Sequence, residues 1–299
     1  MNEQDLREEF SRFEDASGGY RKAPKALFAV WGGEALQFLN GLVTGDVAKI
    51  KTGNAIPVAF PNAQGRIVAL AAILRDGERF LIETDQPSRE KLFSNLQRFT
   101  FAGDFHIEDL SDTLNHFELH RRKVLNLVGV SFDTSLGSGI FVSNEDAGRF
   151  ADEGLMPLSE GLSEALRIER GFPIFGVDAD ESSVVPELGI TDLISYNKGC
   201  YIGQEIVARI HFRGHVAKIM RGLIFADEFK NPMDLGDDEV LLSPDGKQGG
   251  RITSPSFSPR MDRLIALATV RYEFREPGTE LVTSQGRRCV VSDLPFEFN

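Results

Sequence analysis

The sequence has only two cysteines, no long hydrophobic run and no leader-like N-terminus. No apolar stretch approaches the ~18 residues that a membrane-spanning helix needs, so we expect no integral membrane protein. The first fifteen residues hold six acidic side chains, a composition unlike that of a secretory signal or a mitochondrial presequence. Cys200 and Cys289 allow at most one disulfide and cannot supply the four thiolates of a usual iron–sulfur site. These absences predict a cytoplasmic protein.

Positive charge is also in deficit. The 299 residues include 33 Lys and Arg against 45 Asp and Glu, which gives a net charge of −12. This excess of acid argues against broad nucleic-acid binding, and we expect no direct nucleic-acid partner. Hydrophobic residues make up 41% of the chain, which is typical of a folded protein with ample core.

Hydrophobic periodicity predicts an α+β protein with an all-β C-terminal domain. Apolar residues recur at helical spacing in five segments: 33–43, 86–99, 145–154, 160–170 and 203–212. After His215, short β-rich runs alternate with turn residues and indicate a small antiparallel barrel: 216–226, 239–243, 250–253, 264–272, 280–284 and 287–292. We therefore expect an N-terminal arm at 1–24, a two-lobed region at 25–215 and the barrel domain at 216–299.

The densest cluster of chemically versatile residues is KGCYIGQE, residues 198–205. Its two glycines permit a sharp bend, and Ile206, Val207 and Ile210 then form one apolar helical face. Cys200 thus precedes a helix N-terminus and lies two residues from Lys198, and both features stabilise a thiolate. We predict that Cys200 is accessible and functional, with Lys198 beside it; the alternative is a small cysteine buried in a packed turn.

This octapeptide resembles the signature of the YgfZ family of folate-binding, iron–sulfur-related proteins. The upstream sequence RIERGFP, residues 167–173, and the pair Pro186-Glu187 resemble segments that this family shares with the glycine-cleavage aminomethyltransferase, the T-protein. Residues 33–47, 61–66 and 250–296 are similar to the same superfamily in the same order. The resemblance implies a T-protein-like fold, with mixed α/β lobes around a central folate-sized opening and the C-terminal barrel.

The resemblance also implies a ligand, tetrahydrofolate or a one-carbon derivative. A carboxylate can accept two parallel hydrogen bonds from the N–H and amino group of a pterin, and Glu187, on a constrained loop, suits that role. The other residues that the resemblance assigns to the cofactor are Glu169, Arg167, Tyr201, Gly203, Gln204, Glu205, Arg209 and Arg213. Of these, the arginines suit the anionic glutamate tail of folate.

One departure bears on catalysis. The T-protein carries an acidic residue in the strand that follows its glycine-containing hairpin, whereas the matching segment 65–74 here has no carboxylate. Transfer of an aminomethyl group needs a residue that handles the proton of the amine. We therefore expect a folate-binding protein without classical turnover, which supports assembly or repair of iron–sulfur enzymes, including those that modify tRNA. The alternatives are a true aminomethyltransferase and a scaffold without folate.

Two further signals predict no cofactor. His211 and His215 have the spacing of a zinc pair, but a glycine lies between them and no third ligand is evident, so no metal is expected. Cys289 lies in an apolar strand and is predicted to be a core residue.

Overall fold

The computed structural model describes residues 3–98, 103–121, 128–226, 235 and 239–298. No helix among these residues combines the length and the apolar composition needed to cross a membrane. The α-helices are α1 (Glu3–Asp15), α2 (Ala35–Leu42), α3 (Arg89–Gln97), α4 (Glu160–Glu169) and α5 (Gln204–Arg213). The strands are β1 (Gly19–Lys22), β2 (Lys25–Trp31), β3 (Ala55–Pro61), β4 (Ile67–Asp76), β5 (Arg79–Asp85), β6 (His106–Asp109), β7 (Asn115–His120), β8 (Gly129–Thr134), β9 (Gly137–Val142), β10 (Met156–Pro157), β11 (Lys218–Phe225), β12 (Val240–Leu242), β13 (Gln248–Ser258), β14 (Arg263–Arg271), β15 (Glu280–Thr283) and β16 (Arg288–Ser292).

The first sheet has the strand order β3-β4-β5-β2-β6. Its β4 strand is apolar and buried over eight consecutive residues, as expected for a strand covered on both faces. One face packs on α2 and α3 in a core that includes Phe28, Leu39 and Leu92. The other face contributes Ile67 and Leu70 to a second core shared with the barrel. Phe99, the last residue of the predicted helical segment 86–99, lies outside the described residues.

The second sheet has the order β10-β1-β7-β9-β8 and joins distant parts of the chain. Residues 19–22, predicted as part of a polar arm, form β1 and pair with β7 and β10. Tyr20 stacks on the buried ring of Phe150, at a ring-centroid distance of 4.6 Å, and this contact gives the strand its apolar anchor. The segment 145–154, predicted as a helix, contains a 3-10 helix at Asp146–Glu153.

The third layer is a closed barrel in the order β11-β14-β13-β12-β15-β16. All pairings in it are antiparallel, so the predicted α+β class with a C-terminal antiparallel barrel is confirmed. Its interior is lined by small and branched side chains such as Leu223, Ala266 and Leu281.

Two helices position the motifs. Ser159 caps the N-terminus of α4, since its hydroxyl oxygen accepts a hydrogen bond from the Leu162 amide at 3.1 Å. α5 begins one residue after Gly203 and ends at Arg213, where Gly214 terminates it. The predicted boundaries of both helices thus agree with the structure to within one residue.

Candidate functional site

The KGCYIGQE loop is fixed against the hairpin between β3 and β4. Gly203 has φ +80°, and a Cβ atom placed on it would lie 2.4 Å from the carbonyl oxygen of Asn62. Gly65 in the hairpin faces the side chain of Ile206, at 3.1 Å for an added Cβ. Both the backbone conformation and the close approach therefore require glycine at position 203. Gly203 thus has a structural role in the loop.

Lys198 connects this loop to the segment that follows α2. Its ammonium donates to the carbonyl oxygens of Val43 at 2.9 Å and Gly45 at 2.5 Å. Burial lowers the pKa of Lys198 to about 8, and Asp46 acts weakly in the opposite direction. The sequence predicted Lys198 as the partner of the Cys200 thiolate. In the structure, two hydrogen bonds from its ammonium tie the loop to the backbone that follows α2.

Cys200 is exposed, whereas Cys289 is buried in the barrel. Burial raises the pKa of Cys289 to about 12, and its thiol donates to the Leu281 carbonyl oxygen at 3.5 Å. The predicted core role of Cys289 therefore fits its surroundings. Between Lys198 and the helix, Tyr201 is buried and its ring lies 5.2 Å from the Lys198 ammonium. Burial raises the pKa of Tyr201 to about 12, so this residue is a neutral anchor of the loop.

The polar side chains of α5 face outwards. Arg209 and Glu205 form an exposed i,i+4 ion pair at 2.7 Å, and Arg213 is exposed at the helix end. Gln204 occupies the first helical position and is half-buried. The two histidines noted for their spacing stack on different aromatic rings: His211 on Tyr196 and His215 on Tyr272.

Glu187 lies on a short 3-10 turn, Val185–Leu188, which packs between α5 and β11. Its side chain is 12% exposed, and Oε2 accepts from the Val184 amide at 3.3 Å and lies 3.9 Å from the Lys218 ammonium. Burial raises its pKa, while the charges of Lys218 and Arg66 act in the opposite direction. Within the described chain, Oε1 has no hydrogen-bond donor. One oxygen of this carboxylate is therefore free to accept a hydrogen bond from a ligand.

Sequence reasoning missed the two basic residues near Glu187. Lys218 begins the first barrel strand, and Arg66 forms an isolated β-bridge with Val184. Neither belongs to a recognisable motif, and their proximity to Glu187 depends on how the barrel docks on the first sheet. Only a tertiary contact could have revealed them.

Arg167 and Glu169, predicted to contact folate, are buried elements of the framework instead. The Arg167 guanidinium donates to Glu164 and Asp178 at 2.6 and 2.8 Å, and to Ser254 at 2.8 Å. Its ion pair with Asp178 is deeply buried, because the Asp178 side chain is 0% exposed and that of Arg167 is 11% exposed. The donor groups of Arg167 are thus already occupied.

Glu169 is 2% exposed and accepts from the Ser258 hydroxyl at 2.5 Å, and Arg260 lies 3.4 Å away. Burial raises the pKa of Glu169, and the hydrogen bond from Ser258 offsets part of that effect. The chain therefore joins α4 to the barrel through two carboxylate networks rather than presenting these groups to a ligand.

The strand expected to carry an acid in a T-protein is apolar here. Residues Ile67 to Leu74 of β4 are all buried and none is a carboxylate. On the neighbouring strand, Glu83 pairs in register with Ala72. That glutamate is the carboxylate nearest to Ala72 along this pair of strands, and it lines a cavity.

The comparisons with known proteins concern the barrel and the fold. Residues 218–296 match the family model described as the glycine cleavage T-protein C-terminal barrel domain. An aminomethyltransferase of Thermus thermophilus is 25% identical over 304 residues, which span 90% of this chain and 84% of that protein. The iron-sulfur cluster assembly factor IBA57 homolog, mitochondrial, of Pyricularia oryzae is 27% identical over 231 residues, or 70% of this chain and 57% of that protein.

Among solved structures, the aminomethyltransferase T of the glycine cleavage system of Bartonella henselae superimposes with a TM-score of 0.83 at 20% identity. The alignment covers 98% of this chain and 89% of that one. The expected T-protein-like fold is thereby confirmed. Together, the matches support the wider superfamily that contains the T-proteins.

Proposed function

We propose that this chain is a cytoplasmic tetrahydrofolate-binding protein of the YgfZ type, which supports assembly or repair of iron–sulfur enzymes, including those that modify tRNA. Its partners are then a folate and the proteins that make or receive iron–sulfur clusters. The observation that carries the proposal is the KGCYIGQE loop, which holds an exposed thiol on a rigid base formed by Lys198 and Gly203. The similarity to an IBA57 homolog adds support for the iron–sulfur role.

The folate part of the proposal rests on Glu187. Its free Oε1 and its lightly used Oε2 are available to the N–H and amino group of a pterin, and charge-assisted hydrogen bonds of this kind each contribute about 1.5–3 kcal/mol. Lys218 and Arg66 are near enough to Glu187 for their charges to lower its pKa, and they offer positive charge to an anionic tail. Of the three arginines predicted for the tail, Arg167 has its donors occupied, so Lys218 and Arg66 join Arg209 and Arg213 as candidates for that contact.

A titration tests the folate site. Glu187→Gln keeps the shape of the side chain but replaces an acceptor oxygen with a donor, so the affinity for tetrahydrofolate should fall about 10-fold or more by calorimetry. Glu181→Gln, an exposed change on the same loop, serves as the matched control and should bind like the parent protein. Equal affinity of the Glu187→Gln and parent proteins would remove Glu187 from the pterin site.

A second experiment tests the thiol. In cells that lack the native protein, Cys200→Ser is expected to fold and to bind folate, but not to restore the activity of iron–sulfur enzymes. Cys289→Ser, a substitution of the buried cysteine, should restore that activity if it folds. Full restoration by Cys200→Ser would restrict the loop to a docking role.

The second candidate is a folate-dependent aminomethyltransferase, which the full-length matches to aminomethyltransferases favour. The absence of a carboxylate from Ile67 to Leu74 of β4 weighs against it, because general acid–base assistance contributes roughly 10²–10⁴-fold to rate. Turnover in a reconstituted glycine-cleavage system should therefore be below that of a genuine T-protein by at least that factor. Turnover comparable to that of a genuine T-protein would instead show that this chain is an aminomethyltransferase.

A further inference from the structure

A cavity of about 230 Å³ lies between the two sheets, apart from Glu187 and the Cys200 loop. β1, β7 and β9 form one wall, β2 and β5 form the opposite wall, and α4 with residues 172–174 closes one side. At ~30 Å³ per molecule of liquid water, this volume equals several waters and is sufficient for a small metabolite.

Most of the charges in its wall are neutralised by one another. Arg21 pairs with Glu118 at 3.1 Å, and Lys25 pairs with Asp85 at 2.6 Å. Arg167 is held by its own carboxylates, as described above. These pairs need no ligand, and they leave the cavity lined by both signs of charge.

Two acceptor atoms in the wall have no donor. Oε2 of Glu83 is buried without a hydrogen-bond partner, and the other oxygen lies 3.7 Å from Lys25. Nδ1 of His120 is also buried without a partner. The Ser163 hydroxyl donates to Glu118 and is contacted by His120 Nε2 at 3.0 Å, so Nε2 carries the hydrogen and Nδ1 presents a lone pair. Burial lowers the pKa of His120 to about 3, so the ring is neutral.

The Nε2 atom of His116 is also buried without a hydrogen-bond partner, but for a different reason. Nε2 of His116 lies 2.3 Å from the position of an added Cβ on Gly139, so the glycine backbone covers it. Its Nδ1 donates to the Ala23 carbonyl oxygen at 3.1 Å. His116 therefore closes the cavity wall, and its Nε2 atom is not available to a ligand.

One cation in the wall has no close anionic partner among the described residues. Arg170 forms no hydrogen bond or ion pair with any residue that the structure describes, and its guanidinium lies 6.0 Å from the centre of the Phe172 ring. The charges of Glu169 and Asp133 act on it without forming an ion pair, so the guanidinium can still accept a closer anion. Arg170 faces this cavity and two adjoining clefts, and its charge reaches His120.

We propose that this cavity binds a free α-amino acid, whose ammonium donates to Glu83 Oε2 and His120 Nδ1 and whose carboxylate pairs with Arg170. A zwitterion is the ligand class that offers hydrogen-bond donors to the two unpaired acceptors and an anion to the cation that has no ion pair. A simple anion leaves Glu83 unsatisfied, and a simple cation leaves Arg170 unsatisfied. This site is separate from the proposed folate site, because Glu187 does not line the cavity.

A binding screen tests the proposal. The common amino acids are added singly to the full chain in a thermal-shift assay, and the strongest stabiliser is then titrated by calorimetry, with a Kd tighter than about 1 mM expected. The N-acetyl and the amide derivatives of that amino acid, which lack the ammonium or the carboxylate, should each bind at least about 10-fold more weakly. Absence of binding by every amino acid, or equal binding by the derivatives, would overturn the proposal.

Conservative variants locate the site. Glu83→Gln and Arg170→Gln should each weaken amino-acid binding by about 10-fold or more. Glu78→Gln and Arg79→Gln, exposed at the turn before the same strand, are the matched controls and should bind like the parent protein. Circular dichroism and the melting temperature without ligand establish that each variant is folded. Equal loss in the controls, or no loss in the two cavity variants, would place the binding elsewhere and contradict the proposal.

A competition experiment separates this inference from the folate proposal. The titration is repeated at saturating tetrahydrofolate, and the amino-acid affinity should change by less than about 2-fold. Displacement of the amino acid by tetrahydrofolate, or by a simple tetrahydropterin, would assign the cavity to the folate ligand and overturn a separate site. Glu187→Gln should leave amino-acid binding intact, so either proposal can fail without the other.

Discussion

Two segments of the chain carry similar mixtures of residue types, yet the structure uses them in different ways. In residues 167–171, Arg167 and Glu169 are buried and fully paired, and they join α4 to the barrel. In residues 198–205, Lys198, Tyr201 and Gly203 anchor the loop, while Cys200 and Glu205 are exposed. A motif identified by residue type alone does not distinguish a structural network from a surface with available chemistry.

The difference predicts how each segment responds to substitution. Changes at Arg167 or Glu169 should act on stability because they leave a buried charge without its partner. Changes in the second segment should act on function, except at the residues that fix its base. Three substitutions test this division.

The largest effect is expected for Arg167→Met. This change leaves Asp178, whose side chain is completely buried, without its counter-ion, at a cost of about 3–5 kcal/mol in the free energy of unfolding. Urea denaturation followed by circular dichroism measures it. The matched control is Arg209→Met, which breaks an exposed pair and should cost no more than about 1 kcal/mol. Similar losses in the two variants would mean that burial does not separate the segments.

A smaller effect is expected for Gly203→Ala. The alanine would adopt a left-handed conformation with its Cβ against the Asn62 carbonyl, which should cost about 2–3 kcal/mol and loosen the loop. Gly199→Ala is the matched control in the same loop, because an added Cβ at position 199 meets nothing within 4 Å and the residue has no positive φ. We expect the control to unfold within about 0.5 kcal/mol of the parent protein. Equal stability of the two variants would show that the loop has no rigid base.

The smallest effect concerns Lys198 and pH. Its folded-state pKa of about 8 lies below the ordinary value of 10.5, so the unfolded chain binds more protons between these limits. The free energy of unfolding of the parent protein, relative to Lys198→Met, should rise as pH increases from about 8 to 10.5, by less than about 1 kcal/mol for a half-buried group. Denaturation at several pH values checks this. A flat difference for Lys198→Met over this range would contradict the burial of its ammonium.

Much of the fold could be predicted from the sequence because the patterns are local. The helical periodicity around Leu162 and Val207 and the turn-separated strands after His215 identified α4, α5 and the barrel. The strand β1 could not be predicted, since its four residues gain their stability from distant pairing with β7. The strand β8 was missed for a similar reason: its alternating pattern is short and half-exposed.

The candidate site was only partly predictable. The loop around Cys200 could be found because its residues are consecutive, and Glu187 because it follows a proline in a familiar segment. Lys218 near Glu187, and the meeting of Glu83 with Arg170 in one cavity, depend on how the lobes pack. The ion pair between Arg167 and Asp178 could not be predicted either, because no pattern in the sequence specifies which carboxylate an arginine will contact.

The contrast between the two cysteines gives the protein a built-in attachment point. Only two thiols exist in the chain, and the barrel shields one of them behind a high pKa. A maleimide dye added to the unmodified protein near neutral pH should therefore attach to Cys200 alone. Every labelled molecule would then carry one reporter beside the same helix N-terminus, and its anisotropy would register the arrival of any macromolecule at that loop.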